Sequence, residues 1–144
     1  MKTSTVSAGD FAQADLSRAG ATLLRVALGI MFIAHSVVLK YFTFTLAGTA
    51  QYFASIGLPA GLAYVVFAAE AVGGVLLVLG VRTRWVALGL VPVLLGATWV
   101  HVGNGWVFNA PNGGWEYPVF LIVISLVVAA QAYGSSRSPS GGGN

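Results

Sequence analysis

The chain has no cysteine, which excludes disulfides, thiolate-bound zinc, iron–sulfur clusters and dithiol redox chemistry built from its own side chains. Charge is nearly as scarce, with four Asp or Glu and seven Lys or Arg in 144 residues. A soluble domain carries about 25% charged residues, whereas here 8% are charged, 57% are hydrophobic and the mean hydropathy is +0.84. So few charges cannot clothe a water-facing surface, and a soluble enzyme is excluded in favour of a membrane protein. The net charge of +3 does not point to nucleic acid. The basic residues are scattered, Arg82 and Arg84 being the one close pair, and they read as membrane anchors. There is no Gly-x-Gly-x-x-Gly after a strand, no P-loop, no Gly-x-Ser-x-Gly and no His-Glu-x-x-His, so nucleotide-binding, acyl-transfer and zinc-protease chemistry have no foothold.

What the chain does have is long apolar runs. Four of them, at about 19–39, 60–81, 85–102 and 117–133, approach the ~20 residues that span a bilayer. They are continuous in Leu, Val, Ala and Gly rather than alternating, which predicts helices and not a barrel. Pro59 and Pro118 sit near helix starts, and Pro92 inside the third run is expected to kink it. The expected fold class is an all-α membrane protein: a four-helix transmembrane bundle with a short interfacial helix over 45–56 and an outer loop cap between His101 and Pro118. Asn112-Gly113 marks the turn of that cap, flanked by Trp106, Val107, Phe108 and Trp115. Residues 1–18 read as a polar tail. The first apolar run continues to Tyr41 without a small-residue cleavage site, so it is expected to be retained rather than removed as a signal peptide. Residues 135–144 are Gly- and Ser-rich and are expected to be disordered. With four spans, Lys2, Arg18, Arg82, Arg84 and Arg137 fall on one side and Lys40 alone on the other. The positive-inside rule then places both termini in the cytoplasm, with the chain multi-pass in the inner (plasma) membrane.

In such a sequence each ionisable group at bilayer depth carries information, since burying one costs roughly 3 kcal/mol and is normally met by a partner or a function. Glu70 lies halfway along the second span, and Arg25 is six residues into the first. A helix rise of 1.5 Å leaves about 6 Å between their levels, a gap an Arg side chain bridges. Such a pair is either a structural tie between helices or a functional pair facing a ligand or proton path. His35, Lys40, His101 and Glu116 all fall toward the outer side, where imidazole and carboxylate together shuttle protons or bond a headgroup carbonyl. No spacing of metal-ligand type joins them, and no metal is expected. The ligand or proton-path candidates are therefore Arg25, His35, Glu70, His101 and Glu116, with Lys40, Trp106 and Trp115 as cap residues over an outer-half pocket.

Arg25 before LGIMF, the His35-to-Lys40 stretch, FASIGLP at 53–59, Glu70-x-x-Gly-Gly, RTRW at 82–85, His101 and GGWEYP at 113–118 stand in an order that resembles the DoxX family of small four-helix membrane proteins. One departure is Ser36, where members often have Gly beside the His. The resemblance implies a membrane subunit associated with oxidoreductases, since relatives include subunits of thiosulfate:quinone oxidoreductase. It also implies that Arg25, Glu70, His101 and Glu116 occupy the family's polar positions. The resulting expectation is a DoxX-like subunit offering a quinone or similar amphiphile an outer-half pocket. With no intrinsic cofactor evident, electrons would come from a soluble or membrane redox partner; a homo-oligomer is compatible with this. The alternatives are a non-enzymatic scaffold or assembly factor and, less favoured for want of an inverted repeat, a small-solute transporter.

Overall fold

A computed structural model describes residues 8–135. Helix α1 (Ala8–Ile33) continues without a break into a π-helical segment, Ala34–Thr43, and is followed by α2 (Leu46–Ser55), α3 (Leu62–Leu79), α4 (Thr83–His101) and α5 (Glu116–Ser135). No strand occurs among the described residues. Among the described residues four helical stretches are long and apolar enough to cross a membrane: Gly9–Thr43, Leu62–Leu79, Thr83–Asn104 and Glu116–Gly134. The molecule is thus an all-α membrane protein, a helical bundle with one short helix between its first two spans.

Helix α1 starts well before the apolar run, so that Ala8 to Arg18, expected from sequence to be a tail, are helical. From Phe11 to Ala19 there is neither Gly nor Pro, Ala, Gln, Leu and Arg favour helix, and Asp10 in the first turn complements the helix dipole. The first span has 35 residues, about 50 Å of helix against a hydrocarbon core of about 30 Å, so its first turns stand outside the lipid. The disorder expected of 135–144 falls almost wholly outside the described residues.

Helix α1 packs chiefly on α3 and α4 on α5, with α3 against α4 joining the two pairs. Small residues set the α1–α3 spacing. A methyl on Gly29 would lie 2.7 Å from the Gly74 carbonyl oxygen, and one on Gly74 would lie 2.8 Å from that of Gly29. The neighbouring Gly73 leaves room for Leu90 of α4, whose Cδ1 a methyl there would meet at 2.9 Å. Backbone-to-backbone approach of this kind replaces the hydrophobic drive that lipid does not supply. Leu28, Phe32, Leu77, Leu90 and Val128 fill the centre, while Leu23, Ile30, Val65, Leu95 and Phe120 are exposed, as lipid-facing side chains should be.

Helix α3 ends in a left-handed Gly80 (φ +76°). Its amide bonds Leu77 O at 3.1 Å and the Val81 amide bonds Leu76 O at 2.9 Å, the paired bonds of a Schellman turn. Helix α4 runs through Pro92 as one element from Thr83 to His101. Helix α2 is capped by Thr45, whose hydroxyl accepts from the Gly48 amide at 3.0 Å, and it lies against α3 and the π segment.

Candidate functional site

The π segment determines which side chains face α3. Its bonding is i to i+5, ending with the Phe44 amide on Leu39 O at 2.8 Å, so residues five apart share a face. His35 and Lys40 are five apart; in an α-helix they would diverge by about 140°. Lys40 Nζ donates to Glu70 Oε2 at 2.5 Å, and the two side chains are 18% and 8% exposed. His35 stands within electrostatic reach of the same carboxylate. Its Nδ1 is 2.9 Å from the Met31 carbonyl. A carbonyl only accepts, so this contact protonates Nδ1 and leaves Nε2 as the variable nitrogen. The imidazole stacks on Tyr117 of α5, centroids 5.5 Å apart, and the Tyr117 hydroxyl points to Met31 Sδ at 2.7 Å. Ser36 is fully buried and returns its hydroxyl to Phe32 O at 2.8 Å. A residue barely larger than glycine, its hydroxyl satisfied within its own helix, is thus accommodated there.

Arg25 does not pair with Glu70. Its Nη1 donates to Leu77 O and to Val78 O, the latter at 2.8 Å. The reason is register: with Gly29 on Gly74 in an antiparallel pair, the residue four before Gly29 falls opposite the residue four after Gly74. Arg25 therefore reaches the last carbonyls of α3, where the regular helical ladder ends. By the same register Ile33 is level with Glu70, and Lys40, placed among the cap residues by sequence, reaches back from the π segment to that carboxylate and takes the role assigned to Arg25.

The segment between α4 and α5 folds into a hairpin. The Trp115 amide bonds Gly105 O at 3.2 Å and the Glu116 amide bonds Trp106 O at 3.0 Å. The turn closes with the Gly113 amide on Ala110 O at 2.8 Å, which centres it on Pro111 and Asn112, one residue before the expected Asn-Gly pair; Asn112 and Gly113 both have positive φ, 66° and 79°. Asn104 Nδ2 holds the turn through Asn112 O at 3.1 Å and Gly113 O at 3.0 Å, and it lies 3.4 Å from His101 Nδ1. Trp106 and Trp115 meet edge to face at 4.4 Å. The Glu116 carboxylate accepts from the Phe108 amide at 2.8 Å, tying the hairpin to the first turn of α5.

Beneath this hairpin is an open groove of about 510 Å³ lined by Trp106, Phe108, Glu116, Tyr117, Val119, Phe120 and Val123. Of the residues singled out by sequence, Glu116 and Trp106 line it and Trp115 backs Trp106. His101 lies behind Gly113, and His35, Lys40 and Glu70 form their own cluster toward the interior. The two groups meet at Tyr117, which lines the groove and stacks on His35. Sequence patterning did not single out Tyr117. Its position between an acidic residue and Pro118, at the mouth of a span, was the available cue.

The fold and this arrangement define a multi-pass helical membrane protein with a buried ion pair below an apolar groove. The DoxX family model matches residues 20–103, more than half of the chain, and the chain belongs to the DoxX family. The matched stretch includes Arg25, His35, Lys40, Glu70 and His101 and ends before the hairpin and α5, so Glu116 and Tyr117 lie beyond it. Over 78 residues the chain is 46% identical to a Bacillus subtilis (strain 168) protein named "Putative oxidoreductase CatD". That match covers 54% of this chain and 56% of the relative, so the chain spans about half the length of the curated protein it matches. No solved structure matches.

Proposed function

We propose that this DoxX protein is a membrane subunit of an oxidoreductase and holds a quinone or similar amphiphilic carbonyl compound in the groove under the hairpin. The observation that carries this reading is the continuity, through Tyr117, between an apolar groove and a buried Lys40–Glu70 pair with an imidazole beside it. The groove volume of about 510 Å³ lies within the ~300–1,000 Å³ of ligand sites. Phe108, Phe120 and Val123 offer a ring and an isoprenoid tail apolar contact, and the Tyr117 hydroxyl and Glu116 supply the polar end. Reducing a quinone takes two electrons and two protons. The electrons come from a redox partner. Protons pass by way of His35 Nε2, with Lys40 and Glu70 as the charge reservoir behind it. The hairpin end faces outward and both termini face the cytoplasm of a plasma (inner) membrane.

The test is ligand retention in lipid nanodiscs. A short-chain naphthoquinone should stay with the wild-type protein, and Val123→Trp, which fills the groove, should reduce its retention about tenfold with helicity unchanged. Equal retention by both proteins would remove the groove from consideration. One observation favours the scaffold reading instead: Glu116 is already bonded to Phe108 and Lys40 to Glu70, and no buried side-chain polar atom among the described residues lacks a partner. On that reading a redox partner co-purifies, no quinone is retained, and Val123→Trp changes nothing.

A further inference from the structure

Positive charge is concentrated at the opposite end of the bundle, where the α3–α4 turn meets α1 and α5. Arg82 begins α4 in a left-handed conformation (φ +46°) and is exposed. Among the described residues its side chain has no ion pair or hydrogen bond. Arg84 lies over the rings of Trp85, at 5.0 Å, and of Tyr133, at 4.3 Å. Arg25 is beside Gly80, two residues before Arg82, with Nη1 occupied by the α3 carbonyls and its other donors outside those bonds. The amino end of α4 adds the positive pole of its dipole. No side chain caps that end, and its first turn has no acidic residue.

Among the described residues no acidic side chain is placed to balance this charge. Of the chain's four acidic side chains, Glu70 is paired with Lys40 and Glu116 bonds the hairpin at the far end. Asp15 and Asp10 stand ten and fifteen residues before Arg25 on α1, about 15 and 22 Å away along the axis, and Asp15 is paired with Arg18. The depth of the cluster is marked independently by Trp85, 64% exposed at the same turn, and by Tyr133. Both are aromatic types that settle at the headgroup level. We propose that Arg82, Arg84 and Arg25 form a site for the phosphate of an anionic phospholipid. Arg82 makes the free contact, Arg84 is held in place by its aromatic neighbours, and Arg25 couples the lipid to the end of α3.

The experiment compares lipid retained by detergent-purified protein after exposure to mixed phosphatidylcholine–phosphatidylglycerol vesicles. Wild type should retain phosphatidylglycerol in preference to phosphatidylcholine. An arginine near an anionic surface accounts for about fivefold in affinity, so Arg82→Gln/Arg84→Gln should reduce the preference about twenty-five-fold while far-UV circular dichroism stays unchanged. Arg18→Gln, a basic residue of the same end already paired with Asp15, should change it less than twofold. Equal loss in the Arg18 variant would show diffuse charge attraction and overturn the site. Displacement of phosphatidylglycerol by inorganic phosphate alone would overturn the assignment to lipid. Retention of phosphatidylcholine equal to that of phosphatidylglycerol by wild type would overturn both.

Discussion

Within the spans, Lys40 and Glu70 form a largely buried ion pair. Truncating one leaves the other as a buried group with no counter-charge, at an expected cost of about 3–5 kcal/mol, whereas replacing both with apolar residues restores packing without an orphan. Lys40→Met and Glu70→Leu should each lower stability in detergent unfolding, and the double variant should recover part of the sum. Strict additivity would show that the 2.5 Å contact contributes no coupling. Arg25 gives the contrasting case. Because it bonds Leu77 and Val78 rather than Glu70, Arg25→Gln and Glu70→Gln should add, within about 0.5 kcal/mol. His35→Ala separates function from packing: quinone retention or coupled turnover should fall while protein abundance holds, if Nε2 serves the groove.

At the scale of elements, the contact between α1 and α3 depends on glycine rather than on interlocking side chains. Gly29→Leu or Gly74→Leu places atoms where the opposing backbone already is, and forced repacking of this kind costs about 1–3 kcal/mol. A methyl added at Gly89 of α4 would meet nothing within 4 Å, so Gly89→Ala should not lower the unfolding midpoint. A thermal series in one detergent distinguishes the two classes. The hairpin has its own tie, since Asn104 serves two of its carbonyls. Asn104→Ala should loosen the turn and raise hydrogen exchange over 105–115, with the four spans unaffected. The π segment is the element that sequence patterning had least chance of showing. Ten residues, Ala34–Thr43, are too few for apolar spacing to distinguish a 3.6-residue repeat from a wider one, yet that difference is what turns Lys40 toward Glu70.

For the molecule as a whole, the orientation proposed above rests on the distribution of basic residues. With the α3–α4 turn in the cytoplasm and the hairpin outside, an alkaline phosphatase fusion after Arg84 should be inactive and one after Asn112 active. The reverse pattern would invert the assignment. The anionic-lipid site and the groove then lie at opposite ends of the same bundle, and substitutions at one should leave ligand retention at the other unchanged.

The number of spans, the all-helical class, the short helix after the first span and the turn around Asn112 were all legible in the sequence. Each rests on a local or compositional rule: lipid satisfies no backbone groups, and a tight turn needs residues that tolerate positive φ. The family was legible as well, through the order of its short motifs. Pairing was not. Arg25 and Glu70 are at plausible depths, but depth measured along each helix separately leaves the sliding of one helix past the other undetermined. That register was decided by where Gly29 meets Gly74, and the choice of Lys40 by the widened turn after Ile33. Tyr117 likewise had no local mark of importance, because its role arises from α5 lying against Met31 of α1 and His35 of the π segment. Local chemistry determined what this chain forms, and the close approach of its helices decided which charges meet.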